Sequence, residues 1–208
     1  FTESISSKFS QIGQSMAPAK PTVTNDDPTS LQSKGKPTVE LYVAVARLYE
    51  EQQRFAEAEN QYKRGLHESP KDLRVLLGYA RLKDRTGKPE EAVKLYKQAI
   101  EANPKDPSAY NNLAVHYARR RMLREAISTM QRAAELRPTE PKYRNNLATL
   151  FVEIGRPDLA FVQLRAVNDD AVSHYNLGYL LNKKGQTQAA AGEFAEALRY
   201  NPQLTSAK

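Results

Sequence analysis

The 208-residue chain has no cysteine. Disulfides, thiolate nucleophiles and cysteine-based zinc sites are therefore excluded. Envelope and cytoplasmic proteins alike can lack cysteine, so bacterial envelope or periplasm and cytoplasm stay equally open. No apolar run approaches the ~20 residues of a membrane-spanning helix, and no glycine-rich phosphate loop occurs. Histidine is scarce: His67, His116 and His174 are far apart in sequence and suggest neither a metal set nor a nucleophile–base pair. The acid pairs Glu50–Glu51, Glu90–Glu91 and Asp169–Asp170 fall at expected helix ends and turns, where they read as solvation and dipole complement. With no site to stand on, an enzyme is not expected, nor a cofactor, a metal or a small-molecule substrate. The chain opens on Phe1 rather than methionine and reads as cut from a longer one, so an upstream signal or anchor stays open.

Charge is unevenly spread. Residues 39–72 carry five Lys/Arg against seven Asp/Glu, residues 73–106 eight against five, and residues 107–140 six against three. The net charge of +7 is thus concentrated in the middle of the chain, which favours acidic partners.

What the sequence does have is a repeat. Pro70, Pro104 and Pro138 are 34 residues apart, and Pro202 closes a last unit. Small residues recur at Ala46, Ala80, Ala114, Ala148 and Gly178, and again at Ala58, Ala92, Ala126, Ala160 and Ala190. Large apolar residues follow the second series four later, at Tyr62, Tyr96, Met130, Leu164 and Phe194; Gly65, Ala99, Ala133, Val167 and Ala197 close each unit. Each unit predicts two helices of roughly a dozen residues joined by a short turn. Gly87, Gly155 and Gly185 sit in the turns, where a left-handed residue ends a helix. Pro89 and Pro157 then open the next helix. One unit cannot bury its apolar face alone, whereas stacked units can.

The 34-residue period, the small–large–small spacing and the terminal proline resemble the tetratricopeptide repeat (TPR). The aromatic and apolar slots of that family read Tyr42, Leu76, Tyr110, Arg144, His174 and Tyr49, Lys83, Tyr117, Phe151, Leu181. Arg144, His174 and Lys83 depart from the pattern, which predicts looser packing there. The resemblance covers residues 39–202 in five units: 39–72, 73–106, 107–140, 141–170 and 171–202, the fourth short by four residues near "AVNDDAV". It implies an all-α, right-handed superhelix of stacked helix–turn–helix repeats, whose first helices line a concave groove. A protein-interaction scaffold holding an extended or helical partner segment is the implied function.

In that register Asn112, Asn146 and Asn176 share one groove-facing slot, filled earlier by Ala44 and Gly78. The row resembles the asparagine ladders of some TPR superhelices, in which amides pair with a peptide backbone whatever its side chains. Arg47, Arg81, Arg85, Arg119 and Lys142 would then select acidic or mixed-polarity peptides, with Tyr175 and Tyr179 offering apolar contact. A five-residue carboxylate clamp of the kind some TPR domains use is disfavoured: Asn112 and Lys142 match it, but Leu77, Arg81 and Asn146 do not. The alternative is single-stranded nucleic acid on the basic patch of repeats two and three, with Arg119, Arg120, Arg121, Arg124, Lys97 and Arg85 near Tyr110 and Tyr117. It is disfavoured because these tyrosines fall on packing slots.

The first 38 residues belong to no repeat. Residues 17–37 have a linker composition. Before them, Phe1, Ile5, Phe9, Ile12 and Met16 fall on one helical stripe, which predicts an amphipathic docking helix over residues 1–16 and a route to self-association. Residues 203–208 form a short tail, and the last helix, around Phe194 and Leu198, is expected to expose an apolar face.

Overall fold

The local code for a helix pair is written five times, and the structure, a computed structural model, describes it over residues 37–204. The N-terminal stripe Phe1–Met16 and its linker up to residue 36 lie outside the described residues. Among the described residues there are ten helices: α1 Val39–Glu51, α2 Phe55–Glu68, α3 Leu73–Arg85, α4 Pro89–Ala102, α5 Pro107–Arg119, α6 Leu123–Leu136, α7 Pro141–Glu153, α8 Pro157–Arg165, α9 Asp170–Lys183 and α10 Thr187–Tyr200. They pack in adjacent pairs that fit about five repeats. None is long and apolar enough to cross a membrane. The four-residue shortfall of the fourth unit falls in α8, which has 9 residues where the other second helices have 14.

Starts and stops repeat with the pairs. Each first helix is capped by a side-chain oxygen accepting from a first-turn N–H, from Thr38, Asp72, Asp106, Glu140 and Asp169 in turn. Second helices lack such caps; Pro89 and Pro157 open two of them at positions whose N–H would have no helical partner anyway. Every first helix ends on a left-handed residue in the same slot. Three are glycines, Gly87 (φ 73°), Gly155 (76°) and Gly185 (83°), but Gln53 (59°) and Arg121 (62°) hold the same conformation with a Cβ.

The small residues make the crossings. Ala46, Ala80, Ala114 and Ala148 in first helices and Ala58, Ala92, Ala126 and Ala160 in second helices are wholly buried, so paired backbones approach closely. Tyr62, Tyr96, Met130 and Leu164 fill the space towards the following pair. Phe194, in the same slot of the last pair, is only half-buried, as is Leu198. Each second helix but the last touches both its own first helix and that of the next pair.

The polar departures from the family pattern are not loose. Lys83 is buried, with its ammonium 2.9 Å from Glu59 on α2 and 2.7 Å from Glu91 on α4. The His174 ring lies 4.5 Å from Phe161 and 5.5 Å from Tyr200, with Nδ1 2.7 Å from Glu193. Arg144 donates to Gln163 at 2.6 Å. The expected looseness is corrected: a polar partner replaces apolar contact at each place.

Candidate peptide-binding face

First helices follow one another directly, with contacts between α1 and α3, α3 and α5, and α7 and α9. Between α5 and α7 a cleft of about 150 Å³ is lined by Ala114, Val115, Ala118 and Arg119 from α5 and by Asn146, Thr149 and Leu150 from α7, with Met130 beneath. An apolar floor carrying one amide and one guanidinium combines the apolar and hydrogen-bonding groups common in ligand-holding clefts.

Asn112, Asn146 and Asn176 are each half-buried, on α5, α7 and α9. Asn146 is already engaged: its Nδ2 donates 2.8 Å to Oδ1 of Asn111, across the α5–α7 gap. The other member of each tandem pair was not singled out from sequence. Asn111 is buried and accepts that bond, while Oδ1 of Asn145 is buried without a hydrogen-bond partner. The tandem amides thus bridge α5 to α7 through Asn111 and Asn146.

Of the predicted cations, Arg47, Arg81, Arg119 and Lys142 are exposed. Arg85 is committed elsewhere: its guanidinium sits 2.8 Å from Glu50 and over the Phe55 ring. Glu50 is correspondingly not a solvated helix-end acid. It is buried, accepting from Tyr62 at 2.8 Å as well as from Arg85. The next repeat copies this, since Asp84 accepts from Tyr96 at 3.0 Å and lies 2.6 Å from Nδ1 of buried His116. Burial pushes the Tyr62 hydroxyl pKa up and Glu50 adds to the rise, while Arg81 and Arg47 oppose it. Tyr96 is raised by burial and by Asp84, against Arg81 and Arg119. Both hydroxyls therefore stay protonated donors.

Tyr179 is exposed, and Tyr175 is half-buried with its ring 5.8 Å from Phe194. Of the other tyrosines, Tyr110 donates to the Pro104 carbonyl at 3.2 Å and Tyr117 meets the His116 ring edge-on at 5.6 Å. Both are half-buried in packing positions, away from an open stacking role. Arg121, in the same basic cluster, is paired with Glu153 at 2.9 Å. A cleft of about 490 Å³ is lined by ends of α2 and α4 with Pro70, Lys71 and Leu76, and contains none of the predicted binding residues. Among the described residues no three acids or histidines converge to hold a metal.

Sequence profiles described as tetratricopeptide repeat match residues 49–115, 109–142 and 171–204, together more than half the chain. The chain belongs to the tetratricopeptide-repeat family. No curated protein sequence matches it significantly. Solved TPR structures share its fold. A MamA protein is 20% identical with TM-score 0.60, covering 79% of this chain and 92% of its own. YrrB, described as a TPR protein with an unusual peptide-binding site, is 20% identical with TM-score 0.55, over 80% and 88%. The pilF protein of Pseudomonas aeruginosa is 15% identical with TM-score 0.59, over 81% and 79%.

Proposed function

We propose that this TPR array is a protein-interaction scaffold holding an extended, acidic or mixed-polarity segment of a partner along its first helices. The observation that carries this is the α5–α7 cleft, where Asn146 and Arg119 stand over an apolar floor. Asn112 and Asn176 continue the amide row on either side, for pairing with backbone N–H and C=O groups. Arg47, Arg81, Arg119 and Lys142 would select carboxylates, and Tyr179 would give apolar contact towards the C-terminal end. Arg85 falls out of the ligand set because Glu50 holds it.

Arrays of extended peptides sorted by charge provide the test. Acid-containing peptides should be retained, and Asn112→Ala/Asn176→Ala should weaken retention by about 1–3 kcal/mol with melting little changed, whereas adding Asn146→Ala should also lower melting because buried Asn111 loses its donor. A large fall in melting at unaltered affinity would make the amides structural and refute the ladder. Retention of single-stranded oligonucleotide that collapses with salt would favour the nucleic-acid alternative.

A further inference from the structure

We propose that copies of this chain join head to tail, the α1 face of one stacking on the α10 end of another as one repeat stacks on the next. The head is an interior face left open. Leu41 and Leu48 are 50% and 51% exposed. In the slot of Leu41 stand Val75, Ala109, Tyr143 and Ser173, all at most 7% exposed under the preceding pair. In the slot of Leu48, Leu82, His116 and Leu150 are at most 5% exposed and Leu180 is half-buried. A leucine pair left in water on a helix that otherwise follows the repeat is an unmet half of a joint.

The tail offers the other half. At the first and last internal joints a residue of the second helix reaches the next first helix from one slot: Glu59 bonds Lys83 at 2.9 Å, and Phe161 lies 4.5 Å from His174. Ala191 fills that slot on α10 and is exposed. Phe194 is half-buried where its four counterparts are at most 2% exposed. Charge agrees as well. The first internal joint is clipped by Glu50 with Arg85, from the C-terminal ends of neighbouring first helices. At the intermolecular joint the head presents exposed Glu51 in the slot of Arg85, while the tail presents Asn182 in the slot of Glu50 with exposed Lys183 next to it, so a cation stands beside the position that meets Glu51. Such a contact is heterologous: each dimer keeps one free head and one free tail, so assembly lengthens with concentration.

The test uses the full 208-residue chain in sedimentation velocity. Its mean mass should rise above the monomer with concentration. A head variant, Leu41→Glu/Leu48→Glu, and a tail variant, Ala191→Arg/Lys183→Glu, should each need at least tenfold higher concentration to associate. Mixed, they retain one intact tail and one intact head and should form a 1:1 dimer that grows no further. Because all four positions are exposed, neither variant should melt earlier. A wild-type chain that stays monomeric at hundreds of micromolar, a mixture that fails to dimerise, or a head variant that melts early because Leu41 and Leu48 are covered within the same chain would each overturn the proposal.

Discussion

Gly78 and Gly192 both lie inside helices, and the same substitution should move stability in opposite directions at the two. A Cβ built on Gly78 would stand 2.6 Å from Cε1 and 2.8 Å from Cζ and Oη of Tyr62. Tyr62 is wholly buried and its hydroxyl is tied to Glu50 at 2.8 Å, which in turn holds Arg85 at 2.8 Å. The ring cannot retreat without loosening that chain of bonds across the first joint. Gly78→Ala gains about 1 kcal/mol of helix propensity but meets an overpacking cost of about 1–3 kcal/mol. Loss of the buried Tyr62–Glu50 bond adds about 1–3 kcal/mol, since a carboxylate is left short of a donor. The expected net loss is about 1–5 kcal/mol. At Gly192, nothing lies within 4 Å of the added carbon, so Ala should stabilise by about 0.8–1 kcal/mol. Urea unfolding monitored by far-ultraviolet circular dichroism gives both signs in one experiment. A repeat array can unfold in stages, so the early part of the transition should report Gly78 and the fit should allow for it. If Gly78→Ala were neutral or stabilising, the tight Tyr62 seat would be wrong. Tyr62→Leu in the Gly78→Ala background should then show no rescue either.

Two further outcomes follow from the joints and turns. Arg121→Gly and Gln53→Gly relieve a Cβ held at φ 62° and 59°. After the entropy cost of an added glycine, each should raise stability by about 0.5–1 kcal/mol, whereas Gly87→Arg should lower it; equal midpoints by calorimetry would contradict this. Burial raises the Glu59 carboxyl, but hydrogen bonds from Lys63, Lys83 and Tyr79 outweigh it and draw the pKa down to about 2. A depressed folded value means the stabilisation is whole above the unfolded pKa of about 4.3 and fades as pH falls towards 2. The urea midpoint should therefore drop between pH 5 and 3, and drop less steeply in Glu59→Gln; parallel slopes would assign the acid loss to other carboxylates.

The repeat was legible because its cause is steric and local in register. Only a residue as small as Ala80 or Ala114 permits the helix crossing, so the same letters return at the same spacing. Turns were legible where glycine marks them, at Gly87, Gly155 and Gly185, and invisible at Gln53 and Arg121, where the N–H groups of Arg54 and Met122 donate back to the carbonyls of Tyr49 and Tyr117 and close the same left-handed turn without the usual residue. Joint chemistry was not legible, because its partners come from different repeats and different slots. Glu50 pairs with Arg85 but the next acid, Asp84, pairs with His116, and Lys184, just past the end of α9, caps the α7 carbonyls of Val152 and Glu153. No single period contains such pairs, and a charged residue on a helix reads first as solvated surface.

The amide row shows both sides of this. Its slot could be located by counting, but counting could not say why the row begins in the third repeat. At Ala44 no preceding repeat is described that an amide could bridge to. At Gly78 the reason is physical: the Tyr62 ring occupies the space where a Cβ would stand, so a larger side chain there competes with the Tyr62–Glu50–Arg85 chain. In the α5–α7 joint Met130 replaces the tyrosine and Ala118 replaces the acid, the anchored hydroxyl is gone, and the cleft that holds Asn146 opens in its place. At the α3–α5 joint Asn112 fills the same slot although the Tyr96 hydroxyl is anchored on Asp84, so it is the seat of Tyr62 against Gly78, and not an anchored ring as such, that excludes a larger residue there.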